Sequence, residues 1–170
     1  ERNESGLKLE PVEIIETFKG ILMVDRGSAH EVEKFMCAVT DRGIVGLVTQ
    51  VDLATANVAT LHNADCRVSA MIDRNRVRGI VHGTGSDLSR YATMKYIDMK
   101  DDVRENDLVV TSPESVFPTG YPIGRVVNVD DTGSLWKTAD IELAVDPYRL
   151  DEVFLLRQAV TPVEELAGPA

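Results

Sequence analysis

Nucleophilic catalysis needs a serine or cysteine activated by a histidine that a carboxylate orients. The parts are present: His30, His62 and His82, many aspartates, and Ser86 within Gly83-Thr84-Gly85-Ser86-Asp87. The order Gly-Thr-Gly-Ser-Asp is not the Gly-Asp-Ser-Gly that builds an oxyanion hole in trypsin-like proteases, and it reads more simply as a hairpin turn. Gly83-Thr84-Gly85 is equally poor as a phosphate cradle, because strand residues follow it where a helix N-terminus would have to face the anion.

Metal chemistry finds no framework. There is no Cys-x-x-Cys and no His-Glu-x-x-His, and the histidines are scattered singly. Asp98, Asp101, Asp102, Glu105 and Asp107 form the densest acidic stretch, but a calcium loop also needs a glycine for its sharp turn, and none is there. That stretch reads as a solvated loop, and no cofactor is expected. Arg74, Arg76 and Arg78 alternate, so an extended backbone would project them from one face. They form either an ordinary solvated face or a basic patch able to meet anionic headgroups or an acidic partner.

The most distinctive segment is 105–126, a strand, a rigidified loop and a strand. Pro118 and Pro122 fix φ and lower the entropy lost on ordering, while Gly120 and Gly124 supply bends. Phe117 and Tyr121 stand on this loop in a chain that is only 5% aromatic. They either plug a barrel end or dock a partner.

The elements that must position these residues are short and β-like. Candidate strands fall at 12–16, 21–25, 36–40, 44–51, 56–61, 66–72, 77–83, 88–97, 108–112, 123–129, 136–145 and 153–156. The connectors carry Asp, Asn, Gly or Ser, which bond their own backbone or relax its dihedrals. Segment 31–37 could hold one helical turn, and no stretch carries a helical apolar period over two or three turns. The chain is therefore predicted all-β, as two small antiparallel barrels of about six strands each with little helix, distantly like the trypsin double barrel. That likeness keeps a hydrolase using Ser86 and a histidine open as a reading, beside a small-ligand-binding barrel. The expected division is a linker or coiled-coil end at 1–10, a first barrel at 11–72, a second at 73–156, and a disordered tail at 157–170. Return of the last strand to the first barrel is left open.

Composition narrows the classes. The 170 residues carry 18 Lys+Arg against 28 Asp+Glu, a formal net charge of −10. Nucleic acid is a poor partner for such a chain, because phosphate neutralisation needs a basic face. No apolar run approaches the roughly 20 residues of a membrane-spanning helix. The chain begins at Glu1 and is expected to be an excised piece of a longer protein. Cys37 and Cys66 are too few for a disulfide framework; they read as small buried apolar residues, with a single bridge as the other possibility.

Segment 108–126, from Leu108-Val109-Val110-Thr111-Ser112 through Val116-Phe117-Pro118-Thr119-Gly120-Tyr121-Pro122-Ile123-Gly124-Arg125-Val126, resembles the MreC family of bacterial rod-shape-determining proteins, where "VVTSG…VFPKGLPVGRV" recurs. Val24-Asp25-Arg26-Gly27-Ser28 is similar to that family's early strand and turn. Gly43-Ile44-Val45-Gly46-Leu47-Val48 resembles its "GLVGRV", Val77 to Gly85 its "RGILVGTG", and Asp151-Glu152-Val153 its closing "LEEVLV". Three positions depart: Glu31, Asn106 and Pro113 stand where the family usually has glycine. Asn106 tolerates a left-handed backbone, whereas Pro113 changes the entry to the loop.

The resemblance implies a protein anchored by one N-terminal membrane helix outside this chain, then a coiled coil and two β-barrels on the periplasmic face of the inner membrane. It implies no catalysis. It implies a scaffold of lateral peptidoglycan synthesis that associates with itself as dimers and in some members filaments. The implied partners are the elongation-specific penicillin-binding transpeptidase, MreD and the MreB system. Phe117, Tyr121, Arg74, Arg76 and Arg78 are the expected binding residues, and Phe117→Ala is expected to weaken partner binding without unfolding the protein.

Overall fold

The computed structural model describes residues 10–85 and 90–157. It contains twelve strands: β1 Glu10–Phe18, β2 Ile21–Val24, β3 Cys37–Thr40, β4 Gly43–Val51, β5 Ala56–Thr60, β6 Arg67–Ile72, β7 Arg78–Gly83, β8 Tyr91–Asp98, β9 Leu108–Thr111, β10 Pro122–Asp130, β11 Trp136–Leu143 and β12 Glu152–Leu156. All pairings are antiparallel, and they close two six-stranded barrels, in the orders β1-β12-β3-β4-β5-β2 and β10-β11-β8-β7-β6-β9. The all-β, two-barrel architecture is the one the sequence predicts. Among the described residues the only helices are single 3-10 turns, Ser28–His30 and Pro147–Arg149. The first lies just before the 31–37 segment where a helical turn is expected.

One strand sits differently from the expected division at residue 72, and the return left open for the last strand is taken. β6 pairs with β7 and β9, so it belongs to the second barrel. The crossover precedes it, in the 61–66 segment, where Cys66 N–H donates to the Asn63 carbonyl at 3.0 Å. Turn 73–77 is only the hairpin between β6 and β7. Both connectors are rich in Asp and Asn, and composition alone does not tell a hairpin from a crossover. β12 pairs with β1 and β3, returning the end of the chain to the first barrel.

Period-two patterning sets the interior of each barrel. In the first, Val12, Leu22, Val24, Val48, Val58, Val153 and Leu155 pack together. β3 and the start of β4 break the alternation, being buried at nearly every position. Their second face is covered as well: Cys37, Val39, Ile44, Leu61 and Leu156 project outward and join one cluster with Phe117, Ile123 and the second barrel's core. The two barrels therefore share a dry seam. Each large side chain in it contributes roughly 1.5–3 kcal/mol of burial.

Candidate interaction surfaces

Thr111, the last residue of β9, organises the loop that follows. Its hydroxyl donates to the Pro118 carbonyl at 2.6 Å and accepts from the Tyr121 amide at 2.9 Å. Its own amide donates to the Tyr121 carbonyl, and its carbonyl accepts from Gly120, each at 2.9 Å. Gly120 has φ +90°, a conformation that glycine adopts without Cβ strain. Ser115 Oγ accepts from the Phe117 amide at 3.0 Å, which turns the ring inward.

Phe117 is 1% exposed and lies in the shared core. Of the two alternatives it is the plug, and it presents no surface to a partner. Tyr121 is half-buried and backs the same cluster. The Cys37 thiol donates to the Val116 carbonyl at 3.5 Å, a bond from the first barrel into this loop. Cys37 and Cys66 are free and buried, and burial pushes both thiols up to about 12.

The three arginines do not share a strand face. Residues 73–77 form a turn in which Arg76 N–H donates to the Ile72 carbonyl and Val77 N–H to the Asn75 side chain. Arg76 itself takes a left-handed backbone, φ +65°. Only Arg78 stands on β7. Arg74 grips Asp107 as a fork, Nε to Oδ1 and Nη2 to Oδ2 both at 2.9 Å, and reaches Asp102 at 3.2 Å. Asp107 also accepts the Arg104 amide at 2.9 Å. Arg74 above all, with the Arg104 amide, holds the Asp107 carboxyl below its ordinary range. Arg78 pairs with Glu114 at 2.9 Å. The cluster is thus largely an internal neutralising network that ties turn 73–77 to the acidic loop and to the loop after β9.

The residues considered for catalysis are held apart or committed elsewhere. Ser86 lies outside the described residues. His30 Nδ1 accepts the Gly27 amide at 3.2 Å, and His82 Nδ1 faces the Gly83 carbonyl at 2.9 Å, where a triad would need a carboxylate. His62 is buried within the interbarrel connector. No group of three or more His, Cys, Asp or Glu among the described residues is placed to hold a metal ion.

Sequence reasoning missed the surface features that stand out most. On β8 the registers Met94↔Ala139 and Ile97↔Lys137 leave Lys95 and Tyr96 opposite the single residue Thr138, a β-bulge. Tyr96 sits in it with φ +63°, which is costly for a bulky side chain. The bulge turns the Tyr96 ring outward, where it meets Trp136 edge to face, centroids 6.0 Å apart and planes at 86°. The two are 52% and 47% exposed, with Leu135 exposed beside them. Rigid, solvent-facing Tyr and Trp next to an aliphatic side chain are the residue types that dominate binding energy at protein interfaces. No local sequence signal announces a left-handed tyrosine inside a strand.

Residues 14–157 match the family described as rod shape-determining protein MreC, barrel core. The cell shape-determining protein MreC of Listeria monocytogenes is 31% identical over 141 residues, which cover 80% of this chain and 48% of that protein. The chain spans about half or less of the length of the curated relatives it matches. The crystal structure of MreC from Pseudomonas aeruginosa superposes with a TM-score of 0.80 at 27% identity, over 87% of this chain and 98% of that one. A chain from a complex between the penicillin-binding protein PBP2 and MreC from Helicobacter pylori shares the fold, with a TM-score of 0.75 at 18% identity over 91% and 99% of the two chains.

Proposed function

This chain belongs to the MreC family of rod shape-determining proteins, and from that premise we propose that it is a non-enzymatic scaffold of lateral cell-wall synthesis that docks a penicillin-binding transpeptidase. The observation that carries the reading is the Tyr96–Trp136 pair, held rigidly at the surface by a strained bulge while the polar candidates are engaged within the protein's own fold. The PBP2–MreC complex of Helicobacter pylori supports the choice of partner class. Tyr121, Arg76 and Arg78 keep exposed atoms and join the proposal as secondary contacts. Phe117 and Arg74 act from within, fixing the loop and the turn.

The wider role follows in the same proposal. The barrels stand on the outer face of the cytoplasmic membrane, self-associate, and couple the transpeptidase to MreD and the MreB system. No helix among the described residues is long and apolar enough to cross a membrane. The test is analytical ultracentrifugation of this chain with the periplasmic part of the matching transpeptidase, in wild-type and Trp136→Ala forms. The wild type is expected to co-sediment, and Trp136→Ala to weaken the complex by tenfold or more. Equal binding by both forms would move the docking face away from this patch. No complex at high micromolar concentration would remove the transpeptidase as a partner of the barrels.

A further inference from the structure

Met71 is 1% exposed, yet it belongs to neither of the apolar clusters that fill the barrels. β6 sets it opposite Val110 of β9 on one side and Arg78 of β7 on the other, in a row around the outside of the second barrel. Two arginines cover it there. Arg78 Nη1 donates to the Met71 sulfur at 3.2 Å, and Arg76 Nη1 approaches the same atom at 3.8 Å. Arg76 holds this place with its left-handed backbone at the end of turn 73–77.

A thioether is a weak acceptor, so this contact matches neither guanidinium. Because both Nη1 atoms lie on one sulfur, they are at most about 7 Å apart, closer than the distance over which salt screens charge. Arg78 Nη1 also donates to the Arg76 carbonyl at 3.0 Å, and its Nε pairs with Glu114 at 2.9 Å. Among the described residues Arg76 makes no ion pair; its contact is the sulfur. Two guanidiniums against one carboxylate leave donors for a further oxyanion, and forks of this shape take a carboxylate in paired bonds. Glu114 itself is loosely held. Its side chain is 58% exposed and that of Arg78 48%, and exposed pairs of this kind contribute little.

The arginine pair adjoins the aromatic patch. Ile80 of β7 lies opposite Lys95 of β8, so Arg78 stands one strand across from the Tyr96 bulge, at the end of the barrel where Trp136 faces Asp98. Lys95 and Asp98, which lie between, offset each other. On the reading that this patch docks a transpeptidase, we propose that Arg76 and Arg78 receive a carboxylate of that partner over the Met71 floor, and that Glu114 holds its place in the unbound protein. The incoming group is an Asp or Glu side chain beside the apolar residue that meets Trp136. It bridges both guanidiniums, which Glu114 does not, and Glu114 turns out to solvent in exchange. The apolar floor keeps water from one side of the contact and so strengthens it.

The test titrates the periplasmic part of the matching transpeptidase against wild type, Arg76→Gln, Glu114→Gln and Trp136→Ala, with melting temperatures to show that each is folded. Arg76→Gln is expected to weaken the complex about tenfold, the loss of a charge-assisted contact. Glu114→Gln is expected to tighten it about threefold, because the competing carboxylate is gone. Weaker binding by Glu114→Gln would make Glu114 a contact rather than a placeholder and overturn the exchange. If Trp136→Ala weakens the complex while the Arg76 and Glu114 variants match wild type, the patch docks the partner and the carboxylate receptor is overturned. If no form binds, the docking reading falls, and acetate decides the site alone. Acetate is expected to shift the Nε–H signals of Arg76 and Arg78 and the Glu114 amide in wild type, and to leave them in place in Arg76→Gln. No shift with acetate would overturn the receptor, and stronger shifts with inorganic phosphate would reassign it to phosphate groups.

Discussion

Gly43, the first residue of β4, lies against the backbone of Pro122, the first residue of β10, so closely that a Cβ on Gly43 would overlap the Pro122 carbonyl oxygen. The two barrels approach here more closely than a Cβ allows. Gly43→Ala must push them apart, because the obstacle is backbone and cannot rotate away. The expected cost is about 1–3 kcal/mol, the usual range for overpacking. Urea denaturation reads it, and an unchanged midpoint would show that the seam yields.

Burial turns the expectation for Phe117 around. Removing a fully buried phenylalanine leaves a cavity and is expected to cost about 3–5 kcal/mol of stability. Phe117→Ala should therefore lower the melting temperature sharply, while binding per folded molecule stays the same. A variant of wild-type stability with weakened binding would return Phe117 to the partner surface.

The Thr111 hydroxyl both donates and accepts within the loop. Thr111→Val keeps the shape and removes both bonds, leaving the Pro118 carbonyl and the Tyr121 amide short of a partner, at a cost of about 1–3 kcal/mol. Thr111→Ser keeps the hydroxyl and should lose much less. Thermal melts of the pair separate hydrogen bonding from packing; equal losses would assign the effect to the missing methyl group.

The Arg74–Asp107 fork makes stability depend on pH in one direction. A carboxyl whose folded pKa is depressed contributes stability that is full above its unfolded value, near 4, and is lost as pH falls through the folded value. Asp107→Asn should thus lower the melting temperature at pH 7. The gap to wild type should narrow progressively below about pH 4. A gap that is constant from pH 7 to pH 2.5 would mean that ionisation of Asp107 is not its source.

Much of this structure was legible because strand and turn chemistry are local. The twelve strands lie where short apolar runs, most of them alternating, meet turn-forming connectors, and Asn106 takes the left-handed backbone expected of it, φ +71°. Glu31, in the place of a family glycine, takes one too, at φ +64°, which glycine would adopt with less strain. What stayed hidden is set by distant parts of the chain. The place of β6 depends on β9, some forty residues on, and the neutralising of Arg74 depends on Asp102 and Asp107. Phe117 reads as a loop aromatic until the first barrel closes over it. Tyr96 carries no turn signal at all, since its bulge is imposed by the register against β11.

The return of β12 to the seat between β1 and β3 makes closure of the first barrel depend on a strand that follows the whole of the second. The second barrel, β6 to β11, is an insertion whose strands all precede Glu152 in sequence, so its closure does not require β12. Until residues 152–156 are seated, β1 and β3 present unpaired edges, the form of strand most prone to pair with another chain. The barrel that opens the chain is sealed by a strand from beyond the other barrel, so loss of β12 would leave the first barrel open while the second keeps all six of its strands.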